Sequence, residues 1–136
     1  MSDISANLKD VRTRINAACE RAGRNANEVQ LVAISKKFTM EIVREAADAG
    51  LTLFGENRIQ EAKTKIPECP GYLRWHFIGN LQTNKCRDAV ELFEMVHAVD
   101  SVHLAEELNK RCEQAAKVMP VLLEVNVSGE GSKHGF

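Results

Sequence analysis

The chain has 136 residues, 44% hydrophobic and 27% charged, with a formal net charge of -1 at pH 7, which is the balance of a single soluble globular domain. No basic block is longer than a Lys-Lys pair, so a nucleic-acid-binding surface is not expected. No apolar segment approaches the ~20 residues of a membrane span, and the N-terminus lacks the apolar stretch of a secretory signal.

The spacing of apolar residues alternates along the chain between the period of a helix and that of a strand. Apolar residues at three- and four-residue steps predict a first helix over about 4–22, ended by a glycine cap at Gly23. Short apolar runs predict strands at 29–36, 51–55, 75–78, 95–99 and 121–127. Between the strands we predict helices at about 40–49, 59–65, 85–93 and 103–117, with Thr39, Asn84 and Ser101 as N-terminal caps.

Strands that alternate with helices indicate an α/β fold with a parallel sheet and right-handed crossovers. Two architectures fit this order, a (β/α)8 TIM barrel and an open doubly wound sheet. No glycine-rich phosphate-binding loop follows any predicted strand, which disfavours a nucleotide-binding open sheet. A complete barrel needs eight strands and about 250 residues. We therefore expect residues 1–136 to form a single domain that is the N-terminal portion of a barrel, with about five of its eight strands.

Polar residues follow the predicted strands where these end. They are Lys36, Glu56, Asn57, Asn80, Asp100, Ser101, Asn126 and Ser128. In both architectures ligands bind at the carboxyl ends of the strands, so these side chains are expected to converge on one mouth. Some of them have a purely structural alternative as helix caps or turn residues.

Lys36 is the most informative of these residues because it ends an apolar strand. An amine held between apolar walls is partly desolvated, which favours the neutral, nucleophilic form that attacks an aldehyde such as pyridoxal 5′-phosphate (PLP). The alternative is an ordinary solvated surface lysine. Alternation along a strand puts Lys36 on the face of Val32 and Ile34 and Lys37 on the other, without deciding which face is inward.

Other chemistries find little support in the sequence. The cysteines, Cys19, Cys69, Cys86 and Cys112, are scattered without a Cys-x-x-Cys pair, and no histidine cluster has metal-ligand spacing, so we expect no metal site. Ser35 and Cys86 are potential nucleophiles without a nearby motif partner. The thiols are expected to be reduced, as in a cytoplasmic protein.

Five motifs in order resemble the pyridoxal phosphate homeostasis protein family. They are LVAISK at 31–36, FGENRIQE at 54–61, WHFIGNLQTNK at 75–85, NVS at 126–128 and SKHGF at 132–136. The resemblance implies a barrel similar to the N-terminal domain of alanine racemase, with PLP held as a Schiff base on Lys36. By the same resemblance Asn57, His76 and Asn126 are candidate cofactor-binding residues, and no catalytic residue is implied. Asn84 and Lys85 match a family signature without an assigned role.

The resemblance also implies a function in vitamin B6 and amino-acid homeostasis, without robust enzymatic turnover. The protein would be a cytoplasmic PLP carrier that exchanges its cofactor with apo PLP enzymes. Family members are longer, and their C-terminal strands supply a phosphate cup and an arginine facing the pyridine nitrogen. We therefore expect this chain to be a fragment of a longer protein.

Three other functions remain open at this point. The first is a PLP-dependent amino-acid racemase, which needs a second acid/base opposite the lysine, usually a tyrosine. The single tyrosine, Tyr72, lies in a predicted loop. The second is a Schiff-base aldolase that uses Lys36 without a cofactor, and the third is an interaction scaffold with an inert lysine.

Overall fold

The computed structural model describes residues 3–136 and contains a five-stranded parallel sheet. The strands follow one another in chain order, β1-β2-β3-β4-β5, and each pairs in parallel with the next. They span β1 Ala33–Ile34, β2 Leu53–Glu56, β3 Arg74–Phe77, β4 Met95–Val99 and β5 Val121–Leu123. This order is what repeated βα units with short connections produce, and the predicted α/β class is confirmed.

Five α-helices alternate with the strands. They are α1 Asp3–Ala22, α2 Met40–Asp48, α3 Ile59–Lys65, α4 Cys86–Leu92 and α5 Val102–Gln114, with short 3₁₀ turns at Ala26–Glu28, Ile66–Glu68 and Thr83–Lys85. None of these helices, within the part of the chain that the structure describes, is long and apolar enough to cross a membrane.

Two of the predicted helix caps are confirmed and one is wrong. The hydroxyl of Thr39 accepts the N–H of Ile42, and that of Ser101 accepts the N–H of Leu104. Asn84 is not a cap, because it lies inside the 3₁₀ turn Thr83–Lys85 and α4 begins at Cys86 without a side-chain cap.

The two outer strands are shorter than the predicted ranges 29–36 and 121–127. Only Ala33 and Ile34 have strand partners in β2, and β5 ends at Leu123. An outer strand pairs along one side, so an apolar run there does not require a ladder along its whole length. All three residues of β5 are exposed to solvent.

The main core lies between the helices and one face of the sheet. The Phe54 and Trp75 ring centroids are 5.4 Å apart, and those of Phe77 and Phe93 are 5.2 Å apart. All four rings are buried in one cluster with residues of α2, α3, α4 and α5. Burying a side chain of this size stabilises the fold by about 1.5–3 kcal/mol.

We call the opposite face of the sheet the inner face. A side chain added at Gly55 would meet Val32, Ile34 and Ile78 at 3.0–3.3 Å, so these residues share that face. The register pairs Gly55 with His76, which places His76 there as well. The inner face is therefore the side toward which ligands would lie in a barrel.

Candidate functional site

Lys36 lies in a tight turn that leaves the sheet at the carboxyl end of β1. The N–H of Phe38 donates to the carbonyl of Ser35 at 3.1 Å, which closes a β-turn with Lys36 and Lys37 at its centre. Lys37 has φ 67°, and positive φ at only the third turn position is the pattern of a type II turn. The side chain of Lys36 is exposed. Residues 3–136 do not enclose Lys36 between apolar walls, and it lies beyond Ile34, the last paired residue of β1.

Asn57 follows β2 at the same edge of the sheet at which Lys36 follows β1. Ile34 is opposite Gly55, and the N–H of Ser35 donates to the Gly55 carbonyl at 3.0 Å, so both residues lie just beyond the paired part of their strands. Asn57 is half-buried. The backbone of Gly79, at the end of β3, approaches Asn57 so closely that a Cβ there would lie 2.4 Å from the carbonyl oxygen of Asn57. The ends of β2 and β3 thus meet at this point.

An open cleft of about 270 Å³ adjoins Asn57. It lies among the loops that follow β2 and β3, and its lining residues are Asn57, Arg58, Ile59, Gln60, Phe77, Asn80, Gln82 and Lys85. Lys85, to which the sequence motif gave no role, is half-buried in this wall.

The ends of β3 and β4 are joined to the tail of the chain. The Asn80 amide donates to Asp100 Oδ2 at 3.1 Å, and His134 Nδ1 lies 3.9 Å from the same oxygen. Asp100 is therefore part of a contact between strand ends, as expected for a structural turn residue.

Asn126 lies on the far side of the sheet from Lys36. Its Oδ1 accepts the N–H of Gly129 at 3.0 Å, and its Nδ2 donates to the carbonyl of Glu130 at 2.9 Å. Four strand spacings separate β1 from β5, about 19 Å along the sheet. The amide of Asn126 thus closes its own loop, and in this structure the sheet does not bring it beside Lys36.

His76 belongs to a chain of polar contacts that crosses from β3 to β4. Arg74 forms a two-pronged ion pair with Glu94, with Nε 3.1 Å from Oε2 and Nη2 2.6 Å from Oε1. Glu94 Oε1 lies 2.9 Å from His76 Nε2, and His76 Nδ1 lies 3.0 Å from His97 Nε2. Both ring nitrogens of the buried His76 are therefore engaged within the protein.

Charge and burial shift the pKa values of Glu94 and His97 in this chain of contacts. The Arg74 guanidinium, followed by a hydrogen bond from His76, holds the pKa of Glu94 below its usual value. An ionised carboxylate only accepts, so His76 Nε2 donates to it, and the tautomers of the two rings decide which of His76 Nδ1 and His97 Nε2 donates to the other. Burial lowers the pKa of His97, which favours its neutral ring.

Glu56 is not at the mouth, contrary to the expectation from sequence. It is fully buried on the helix side of the sheet, where Lys65 Nζ lies 3.2 Å and 3.1 Å from its two carboxylate oxygens. Lys65 also donates to the carbonyl of Ser35 at 2.9 Å and to Glu61 Oε1 at 2.8 Å. The hydroxyl of Ser35 donates to Glu56, and the same Glu61 oxygen accepts the N–H of Lys37 at 2.7 Å.

Sequence reasoning missed Lys65, although two signals pointed to it. Lys65 follows Glu61 by four residues, the spacing of an ion pair on a helix. A glutamate at the end of an apolar strand needs a cationic partner if it is buried. Strand parity could also have indicated that Glu56 and Asn57 do not both line the mouth, since they must face opposite sides of the sheet.

The chain belongs to the alanine racemase N-terminal domain family. The family profile, described as "Alanine racemase, N-terminal domain", matches residues 6–136. The chain is also 41% identical over 140 residues to a protein of Escherichia coli K12 named pyridoxal phosphate homeostasis protein, covering 100% of this chain and 60% of that protein. A Pseudomonas aeruginosa protein of the same name is 45% identical over 136 residues, covering 99% and 59%. The predicted resemblance is confirmed, and the chain spans about 60% of the length of these relatives.

Solved structures agree with this assignment. PipY of Synechococcus elongatus PCC7942, in a structure described as having PLP bound, superimposes with a TM-score of 0.78 at 37% identity, covering 92% of this chain and 55% of PipY. A protein of Bifidobacterium adolescentis described as unknown gives a TM-score of 0.83 at 35% identity, covering 99% of this chain and 61% of that one. The sheet therefore corresponds to part of the barrel of these proteins.

Proposed function

We propose that this chain forms part of a PLP-binding homeostasis protein, in which Lys36 carries the cofactor through its side-chain amine. The observation that carries the proposal is the position of Lys36. It lies in the turn that follows β1, at the carboxyl edge of a sheet similar to that of PLP-bound PipY. Within residues 3–136, the structure shows no ion pair at Lys36, so its amine is available to a ligand.

PLP supplies an aldehyde that condenses with a primary amine, releasing water and forming an imine that another amine can exchange. The residues of this chain have simpler tasks. Lys36 provides the attacking amine, and Asn57 orients polar atoms of the ligand from the neighbouring strand end. His76 and Asn126 are weaker members of the proposed site, because the polar atoms of both side chains already have partners within the protein.

Binding without turnover is the form of this function that we favour over racemisation. The second acid/base of a racemase must face the lysine across the ligand. Tyr72 lies before β3, at the amino end of the sheet, and is 62% exposed. It is thus at the opposite end from Lys36.

The test is to mix the protein with PLP, record the absorbance spectrum, reduce with borohydride and map the modified peptide by mass spectrometry. We expect an imine band near the visible edge and reduced cofactor on Lys36. Lys36→Arg keeps the charge but cannot form the imine, so it should abolish both signals. Lys37→Arg is the matched control and should leave them in place. Labelling scattered over many lysines in the unaltered protein would refute the site.

Carrying is tested separately from binding. Protein loaded with PLP is mixed with the apo form of a PLP-dependent enzyme, and recovery of that enzyme's activity is compared with the rate at which PLP is released into buffer. Transfer faster than release supports a carrier. Transfer no faster than release would leave a PLP-binding protein without a delivery role.

A further inference from the structure

The buried polar group behind β1 and β2 controls which of two adjacent lysines faces the ligand side. We call Ser35, Glu56, Glu61 and Lys65 the Glu56 brace. We propose that the Glu56 brace fixes the turn 35–38 so that Lys36, and not Lys37, is presented for cofactor attachment. This inference rests on the proposed function, and it makes the brace residues positioning residues for Lys36.

The turn needs to be held because its backbone is unfavourable on its own. Lys37 has φ 67°, a left-handed conformation that residues with a side chain rarely adopt outside glycine, asparagine and aspartate. Such a conformation persists where surrounding contacts over-determine it. Two adjacent lysines in a relaxed turn would have similar access to an aldehyde.

The contacts that hold the turn come from α3. Lys65 Nζ donates to the carbonyl of Ser35 at 2.9 Å, and Glu61 Oε1 accepts the N–H of Lys37 at 2.7 Å. These two bonds grip the backbone immediately before and immediately after Lys36. Lys65 Nζ and Glu61 Oε1 are also paired with each other at 2.8 Å, so the two hydrogen bonds to the turn are coupled.

Burial makes this unit rigid. Glu56 is 0% exposed and Lys65 is 6% exposed, so a rearrangement that separated them would leave an unpaired charge inside the protein. The hydrogen bond from Lys65 lowers the pKa of Glu61, which keeps that carboxylate ionised and able to accept the Lys37 N–H.

The brace also sets where the turn begins. The Ser35 hydroxyl is bonded to Glu56 on the helix side of the sheet. Ser35 is the last residue bonded to β2, and Lys36 is the first central residue of the turn, so the brace fixes the residue from which the turn leaves the sheet. Lys37, beyond it, is exposed and lies in the turned segment.

The experiment measures the choice between the two lysines. PLP is reduced onto the protein with borohydride, and the ratio of label on Lys36 to label on Lys37 is determined by peptide mass mapping. In Lys65→Met and in Glu61→Ala we expect the ratio to fall about tenfold, as follows from losing a hydrogen bond to a charged group. Lys63→Met is the matched control, since Lys63 is on the same helix but pairs with Asp88 near the surface.

A second readout tests the brace without the cofactor. Amide hydrogen exchange of the Lys37 N–H should be slow in the unaltered protein and fast in Glu61→Ala, while α5 amides stay protected. Glu61→Ala serves as the milder change if Lys65→Met fails to fold.

The outcomes separate this inference from the proposed function. Unchanged label ratios and unchanged Lys37 exchange in folded variants would overturn the role of the brace, even if Lys36 binds PLP. Scattered labelling of the unaltered protein, together with Lys37 exchange that depends on Glu61, would refute the PLP site while supporting the brace as the element that fixes the turn.

Discussion

Gly79 packs its backbone directly against that of Asn57, and the gap is too small for any side chain. A Cβ on Gly79 would lie 2.4 Å from the Asn57 carbonyl oxygen and 2.9 Å from its Cα. The obstacle is backbone rather than a flexible side chain, so it cannot simply rotate away. This contact sets the distance between the ends of β2 and β3, and with it the position of Asn57.

Gly79→Ala should therefore destabilise the protein by about 1–3 kcal/mol, the usual cost of inserting an atom into a packed site. Urea unfolding followed by circular dichroism measures the change. Gly71→Ala is the matched control, because nothing lies within 4 Å of its added Cβ, and it should be close to neutral. Equal midpoints for the two variants would show that the strand ends can move apart freely.

Lys65→Met should cost about 3–5 kcal/mol, because it leaves the fully buried Glu56 carboxylate without its cation. Lys63→Met should cost less than about 1 kcal/mol, since its ion pair with Asp88 is exposed. The double variant Glu56→Leu/Lys65→Met removes both charges and should recover much of the loss. A double variant no more stable than Lys65→Met would mean that the hydrogen bonds, rather than the lone charge, carry the cost.

Stability should fall as the pH drops below about 6.5. Burial lowers the pKa of His97 from its ordinary value of 6.5, so the unfolded chain binds this proton more readily than the folded one. A depressed pKa of this kind contributes stability above the unfolded value, which is lost as the pH falls through the folded value. Glu94 and Glu61, with pKa values lowered by Arg74 and Lys65, add a second loss at more acidic pH, below their ordinary value of 4.5.

The measurement is the urea midpoint at a series of pH values from 8 to 4 at constant salt. His97→Gln should flatten the decline between pH 7 and pH 5 and leave the carboxylate-dependent loss in place. His103→Gln, which alters an exposed histidine on α5, should preserve the original profile. An unaltered slope in His97→Gln would assign the decline to another group.

Cys86 should resist alkylation in the folded protein. It is completely buried, and burial raises the pKa of its thiol to about 11, so very little thiolate forms at pH 8. Cys112 is partly exposed and should react first with iodoacetamide, as judged by peptide mass spectrometry. Cys86 should be labelled only after urea is added. If Cys86 reacted as fast as Cys112 without denaturant, α4 would have to open readily.

Periodicity and parity were sufficient for most of the fold. Helix α3 has the predicted bounds, Ile59–Lys65, because its apolar residues repeat at helical spacing and Pro67 follows. The predicted lengths of β1 and β5 were too large, since backbone pairing, and not hydrophobicity, decides how far an outer strand extends. Asn84 was misassigned because a capping residue type says nothing about whether the chain first makes a 3₁₀ turn.

The site was harder to predict than the fold. The placement of Lys36 and Asn57 at the carboxyl ends of neighbouring parallel strands was within reach of the sequence. The turn that holds Lys36 was not, because it is closed by a backbone bond from Phe38. Assigning Glu56 to the mouth failed for a similar reason, since its partner Lys65 is reached only through the tertiary fold.

In the dipeptides Ser35-Lys36 and Glu56-Asn57, the two residues have different roles. The first residues, Ser35 and Glu56, are bonded to each other on the helix side of the sheet, and the second residues are the ones proposed to meet the cofactor. Moving either strand by one residue would exchange these tasks, with a carboxylate on the ligand side and an amide where Lys65 needs a counter-ion. Insertions or deletions before residue 36 or residue 57 should therefore be far more damaging than substitutions nearby, and the spacing of these strands is as much a part of the site as the identity of its residues.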